Sequence, residues 1–470
     1  MIPRLSIVIP VYREPLALPR CLARLAACPQ IGSCEVIVSE ADEGASIVPA
    51  GILPVRTVRS QAGRGRQLDA GARAARADVL VFLHVDTSPP RGFVRLVLEA
   101  TGRAEAARGR RRRPADAGAF DLHIDASHPF IRAVSMVGLL RSRVTAVPYG
   151  DQIQFATREA YEAAGGYPHV PIMEDVALMD RLARAGRRIV LLRPPARTSA
   201  RRWETEGPVR TTLRNRRIML AYRSGVSPQT LRVRYRPQSD IEPHAHALIA
   251  FHRALRPGHV KTRLAASVGD ETALQLYRAM LDDLARETRV GVARMRSVRT
   301  LWFIDDPAAG YGAAGGSYPQ IGDDLWQRMH DAMRRTFATG ARRVVLVGSD
   351  IPALDRAVLR RAFEALRTHE VVIGPSDDGG FYLLGCNAGA FDEALFAQAS
   401  RDADRSGSAI LRWAQHAGHR VATLPRARDV DTVTDLEAVL ADPSVRARAL
   451  RRAVRRAGLT LPILEEREDS

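Results

Sequence analysis

Six short stretches hold the side chains best suited to chemistry. "FLHVDT" sets His84 and Asp86 two residues apart at the end of an apolar run. On a strand, such a pair shares one face, so an imidazole and a carboxylate address the same point, as a divalent cation requires; a cap or turn is the alternative. "MEDVALMD" sets Glu174 and Asp175 side by side at the start of an amphipathic segment. Acids there are stabilised by the helix dipole, and one of the two suits a general base that takes a proton from a hydroxyl. "RPGHVKTRLA" carries Lys261, the one lysine among 70 lysines and arginines, followed by Thr262 and Arg263. A Pro-Gly turn leading into backbone amides and two cations suits a polyphosphate. A compact ammonium reaches between phosphoryl oxygens where a planar guanidinium is too wide; chance survival of one lysine is the alternative. "VVLVGSDIPAL" ends an apolar run with Ser349 and Asp350, "GPSDDGG" puts Asp377 and Asp378 before Gly379 and Gly380, and "RDVDTVTDL" holds Asp429 and Asp431 before a Thr-capped helix. Three acidic clusters and one basic loop together fit a metal–phosphate site better than isolated caps.

The elements that must position these residues form two consecutive runs of alternating strands and helices. In the first, "LSIVIPV", "EVIVS", "VRTV" and "DVLVFLHVD" alternate with amphipathic stretches near 15–27 and 66–76. In the second, "ALIAF", "LWFID", "RVVLVGSD", "EVVIGPS", "FYLLGC" and "RVATLP" do the same. Short apolar runs separated by helical segments predict an α/β fold, with mainly parallel sheets covered on both faces and ligands beyond the strands' carboxyl ends. The organisation expected is a first domain over 1–237, a polar linker over 238–245, a second domain over 246–445 and a basic, then acidic, tail over 446–470.

A chain of 470 residues exceeds what one core usually serves. Its net charge of +18 raises nucleic acid or an anionic membrane as partners. The arginines are spread throughout, however, and the one dense block, "ARGRRRR" at 107–113, reads as a solvated loop before a proline. Without aromatics interleaved among the cations, no specific nucleic-acid partner is expected, and a basic nucleic-acid-binding protein stays as the alternative. Cys21, Cys28, Cys34 and Cys386 lack zinc spacing and read as reduced thiols. The N-terminus enters a strand directly, and no apolar run approaches a bilayer's thickness, so a cytoplasmic protein is expected. Residues 210–237 place many cations around an apolar core and suit an interfacial helix at the inner membrane face, which would fit a lipid or carotenoid acceptor; a helix packed on its own domain is the alternative.

The stretches "SIVIPVYRE", "RGRQLDAGARAARADVLVFLHVDT", "YGDQ" and "GGYPHVPIMEDVALMDRLARAG" resemble a family-2-type glycosyltransferase of the GT-A fold, of the subgroup associated with arsenosugar biosynthesis, over about 4–236. The resemblance implies that Pro10, Tyr12, Glu14 and Glu40 line the nucleotide pocket and that Asp86, with His84 beside it, holds Mg²⁺ or Mn²⁺. It also implies that Gly150, Asp151 and Gln152 flank the acceptor and that Asp175 is the base of an inverting transfer from a nucleotide sugar to a small-molecule or lipid acceptor. Arg64 and Arg66 are candidates for the diphosphate cradle. Glu40 stands where the family has aspartate, and "SARRWE" has Ser199 where processive synthases have glutamine, so polymer synthesis is not expected. Over about 246–440, "PGHVKTRLA", "GDDLWQRM", "GSDIPAL", "GPSDDGGFYLLG" and "DVDTVTDL" resemble a GT-A-like family similar to guanylyltransferases of the 2-phospholactate and molybdenum-cofactor type. That implies Lys261, Thr262 and Arg263 on phosphates, Asp350 and Asp431 on metal, and Asp378, Gly379 and Gly380 in the substrate loop. His252 and Leu255 replace that family's lysine and proline. A second glycosyltransferase and a non-catalytic nucleotide-binding module are the alternatives for this half.

Overall fold

The computed structural model describes residues 2–41, 52–104, 113–125, 131, 148–199, 207–232, 246–295, 298–306, 317–392, 394, 396 and 406–459. The linker, the basic run up to Arg112 and most of "SARRWE" fall outside them. The chain divides into two compact units, the first ending at Asp240 and the second beginning at Ile241.

In the first unit, β1 (Ser6–Val11), β2 (Glu35–Ala41), β3 (Arg56–Ser60), β4 (Val79–Phe82), β5 (Thr87–Ser88), β6 (Ala117–Asp125), β7 (Gln154–Thr157) and β8 (Ile189–Ser199) form one sheet in the order β3-β2-β1-β4-β7-β6-β8-β5. β1 through β4 run parallel and β7 is antiparallel to both its neighbours. Alternation along β1 explains why its sequence is apolar throughout. Ile7 and Ile9 pack with Leu18, Leu22 and Val97 on one face, while Val8 packs with Leu68, Ala72 and Leu178 on the other. At Gly71, a side-chain carbon would overlap Val8, so glycine lets helix Arg64–Ala74 press onto the sheet.

The second unit's β9 (His246–His252), β10 (Val298–Ile304), β11 (Tyr318–Pro319), β12 (Arg343–Val347), β13 (Val371–Pro375), β14 (Phe381–Asn387) and β15 (Val421–Thr423) run in the order β11-β10-β9-β12-β14-β13-β15. Position by position, this repeats the first seven strands of the other sheet, including the antiparallel insert, here β14. Both units are therefore mainly parallel α/β sheets of the expected kind. Arg448–Arg456 is a helix that buries Leu450 and Val454, four residues apart, in the second core. Its first turn is fixed by Asp283 of helix Asp270–Arg294, which accepts from Ala449 N at 2.9 Å and Leu450 N at 3.0 Å. The many arginines hid that apolar pair.

Candidate functional site

In the first unit, four separate stretches converge beyond the end of β4. His84 follows the strand, and Gly150 opens a 3₁₀ turn, Gly150–Gln152, whose backbone N–H donates to Asp175 Oδ2 at 2.7 Å. A carbon added at Gly150 would lie 2.6 Å from His84 Cε1 and 3.1 Å from Asp175 Oδ2, so His84 and Asp175 flank one glycine and leave no room for a side chain. Asp175 Oδ1 accepts from its neighbour Val176 N at 2.9 Å, which orients the carboxylate at the start of helix Glu174–Arg184. Burial, then the nearby Arg64 cation, pushes the His84 imidazole down to about 4, against the opposing pull of Asp86 and Asp175, so it is neutral at pH 7.

The adjacent acids have different fates. Glu174 is 1% exposed and ion-paired with Arg64, the first residue of helix Arg64–Ala74; burial raises its carboxyl above the ordinary range despite that cation. Arg64 is thus engaged by a carboxylate, and Arg66 donates to Gln61 on the surface. At the neighbouring strand ends, Val11 and Glu40 are register partners on β1 and β2, with Glu40 buried. Pro10 is on β1, Tyr12 follows it beneath the Arg13 guanidinium, and the Glu14 carbonyl accepts from Leu18 N ahead of helix Ala17–Ala26. Asp151 lies within the 3₁₀ turn, and Gln152 spans it, its amide donating to Phe120 O and its oxygen accepting from Tyr149 N.

A buried polar network beneath this site was not found from the sequence. Gln67 Nε2 joins the ends of β1 and β2 by donating to Val11 O at 2.6 Å and Ser39 O at 3.0 Å. Gln154 Nε2 donates to Pro148 O and Asp175 O, and its oxygen accepts from the Tyr167 hydroxyl at 2.7 Å. Tyr161 in turn donates to Asp69 and accepts from Tyr167 N. The usable signal was polar residues on otherwise apolar faces: Gln67 and Asp69 flank Leu68 on their helix.

In the second unit, Lys261 Nζ donates to Asp350 Oδ2 and Asp431 Oδ1, each at 2.7 Å, and Arg263 pairs with the other oxygen of Asp431. Burial opposes the Lys261 charge, but the two carboxylates outweigh it and hold the ammonium above its ordinary value. Asp429, half-buried and facing Asp431, Asp350 and Asp378, is pushed up to about 6 by burial and those charges. Asp378 folds onto its own loop, accepting from Ser376 and, at 3.0 Å, from Gly380 N. Gly379 needs its φ of 92°, and a carbon on Gly407 would lie 2.5 Å from Gly380 O, so the loop is clamped against helix Ser406–His416. Thr262 opens helix Thr262–Val268. Among the described residues six non-glycines have positive φ, and Arg13, Ile153, Met173 and Lys261 of these border the two sites, where a rigid frame must hold them.

Residues 6–126 match the model of glycosyl transferase family 2. Over that stretch the first unit is similar to glycosyl transferase family 2. Residues 302–400 match a family described as an uncharacterized protein conserved in bacteria (DUF2064). No curated protein matches the chain. Among solved structures, it is similar to a Desulfovibrio desulfuricans G20 protein assigned as a nucleotide-diphospho-sugar transferase, at 29% identity over 45% of this chain and 96% of that one, with a TM-score of 0.40. S. aureus TarS 1-349 in complex with UDP shares 14% identity over 42% of this chain and 61% of that chain, with a TM-score of 0.31. The mannosyltransferase PcManGT from Pyrobaculum calidifontis, solved with GDP-Man and Mn²⁺, shares 16% over 41% of this chain and 55% of that one, with a TM-score of 0.28.

Proposed function

We propose that the first unit is an inverting, metal-dependent glycosyltransferase of the hexosyl type with Asp175 as its base. The observation that carries this reading is the division of labour between the paired acids: Glu174 is committed to Arg64, whereas Asp175 is oriented beside His84 by two backbone N–H groups. The acceptor hydroxyl attacks the anomeric carbon, its proton passes to Asp175, and the bond to the nucleoside diphosphate breaks. In this reading Pro10, Tyr12, Glu14 and Glu40 line the nucleoside pocket, and Asp151 and Gln152 flank the acceptor. Asp86 and neutral His84 offer a hard oxygen and a free nitrogen lone pair. Among the described residues no group of three or more His, Cys, Asp or Glu side chains could hold a metal. Such a sparse donor set fits Mg²⁺ or Mn²⁺, which share their coordination between one or two side chains, substrate phosphates and water. Bound there, the ion would neutralise charge on the diphosphate. Asp175→Asn should cut kcat about 10²–10⁴-fold with donor affinity nearly unchanged, read by nucleoside diphosphate release over a panel of nucleotide sugars with Mn²⁺; retained turnover would sink the assignment.

For the second unit we propose binding of a metal–nucleoside triphosphate and nucleotidyl transfer to a sugar phosphate. A phosphate oxygen of the sugar attacks the α-phosphorus, the bond to the β-phosphate breaks, and pyrophosphate leaves. The product would be a donor for the first unit. One observation disfavours a second glycosyltransferase: at the chain position of helix Glu174–Arg184, between the antiparallel strand and the next parallel one, helix Ser406–His416 carries no acid in its first turn among the described residues. Pyrophosphate release from GTP and a panel of sugar 1-phosphates tests the reading, and nucleotide binding without turnover would leave a binding module.

The location we propose is the cytoplasm, at the inner membrane face. Among the described residues no helix is long and apolar enough to cross a membrane. Helix Pro208–Arg223 buries Thr211 and Ile218, while Val209, Leu213 and Leu220 stand exposed on the opposite face, flanked by Arg216, Arg217 and Arg223. Apolar side chains between cations complement an anionic lipid surface.

A further inference from the structure

The chain's one lysine is engaged before any ligand arrives. Lys261 is 7% exposed, and its ammonium sits midway between Asp350 and Asp431, 2.7 Å from an oxygen of each. The acids come from distant segments, one following β12 and the other preceding helix Val433–Ala441, and Val430 N donates to Asp350 O at 3.1 Å to hold them side by side. Two oxygens each 2.7 Å from one nitrogen are at most about 5.4 Å apart. Mg²⁺ or Mn²⁺ would hold such a pair within about 4.2 Å, twice the usual metal–oxygen distance, in the place the ammonium now fills. An ammonium and a divalent ion cannot share those oxygens, because like charges at contact distance repel strongly away from bulk water.

We propose that Lys261 is a resident counter-ion which closes the second site to free divalent metal and yields it only to metal and polyphosphate arriving together. Phosphoryl oxygens take over the ammonium as Asp350 and Asp431 become available to the ion. Neither ligand alone makes the exchange, since free metal finds the oxygens occupied and free triphosphate meets four carboxylates, Asp350, Asp378, Asp429 and Asp431. Binding of the two is thereby coupled and reciprocal. A lysine suits this role because a point charge on a flexible stem can change partners, whereas a guanidinium would grip the carboxylate with a two-point fork.

This rests on the metal–triphosphate reading of the second unit, and the experiment separates the two. Mn²⁺ binding to the full chain is followed by electron paramagnetic resonance, with and without the α,β-methylene analogue of GTP or ATP, and the signal lost in Asp350→Asn is assigned to this site. In the wild type, Mn²⁺ alone should bind weakly and the analogue should tighten it at least tenfold. In Lys261→Met, Mn²⁺ alone should bind at least tenfold tighter than in the wild type, and the analogue should add little. Lys261→Gln is a second variant should Lys261→Met fold poorly, and Mn²⁺ alone should raise the Tm of either variant but not of the wild type. Equal binding of free Mn²⁺ by wild type and variants, with the analogue still tightening it, would overturn the counter-ion and leave the triphosphate site standing. No binding of Mn²⁺ with analogue in any form would overturn both.

Discussion

At the scale of single residues, the two acids opening helix Glu174–Arg184 make the sharpest contrast. Glu174→Gln should lower kcat less than Asp175→Asn does, yet lower Tm by several degrees, because Arg64 is left facing a neutral amide in a buried site; paired kcat and Tm measurements check this. His252 gives a pH prediction. It is 2% exposed, its Nδ1–H donates to the Arg253 carbonyl, and burial lowers it from 6.5 to about 4. The unfolded chain therefore takes a proton first as pH falls, and stability should drop by about 1 kcal/mol per pH unit between about 6.5 and 4. Denaturation of the full chain across that range should show the slope, and His252→Asn should remove His252's share of it, leaving the share of His84, which burial also lowers to about 4.

At the scale of elements, the strand ends were legible and much of what braces them was not. β1, β2 and β4 are buried on both faces and so read as unbroken apolar runs. β8 contains Arg193, two prolines and Arg197, several of them exposed, and β6 carries the acids Asp121 and Asp125, so neither has a strand's simple signature. The acidic and basic site residues announced themselves by lying just past apolar runs. Gln67, Gln154, Tyr161 and Tyr167 did not, since their partners are supplied by the tertiary fold, as Tyr161 finds Asp69 92 residues away. Gln154→Leu should leave Tyr167 and the Asp175 carbonyl short of partners, lower stability by about 1–3 kcal/mol and reduce kcat more than KM. On helix Pro208–Arg223, the joint change Leu213→Glu and Leu220→Glu should abolish sedimentation with phosphatidylglycerol-containing vesicles while leaving transfer to a soluble acceptor intact. Binding that survives this change, or that ignores vesicle charge, would count against the membrane face.

At the scale of the whole molecule, one strand order is used twice with different equipment at its edge. Both units set an aspartate just beyond the fourth strand of the order, Asp86 after β4 and Asp350 after β12. Among the described residues, only the first follows with an acid at the later helix, and only the second adds the lysine between carboxylates. Asp175→Asn and Lys261→Met in the full chain should therefore silence different reactions, the first leaving pyrophosphate release unaffected and the second leaving glycosyl transfer unaffected. Joint loss in either variant would argue against separable sites.

The helix Arg448–Arg456 carries a consequence for synthesis. It seals a core whose first strand begins at His246, and its hydrogen bonds to Asp283 span 166 residues. On the ribosome the second unit thus stays unsealed until residues 448–456 have emerged, long after the first unit has everything its own sheet needs. A nascent chain halted at residue 445 should yield a protease-resistant first unit joined to a protease-sensitive second one.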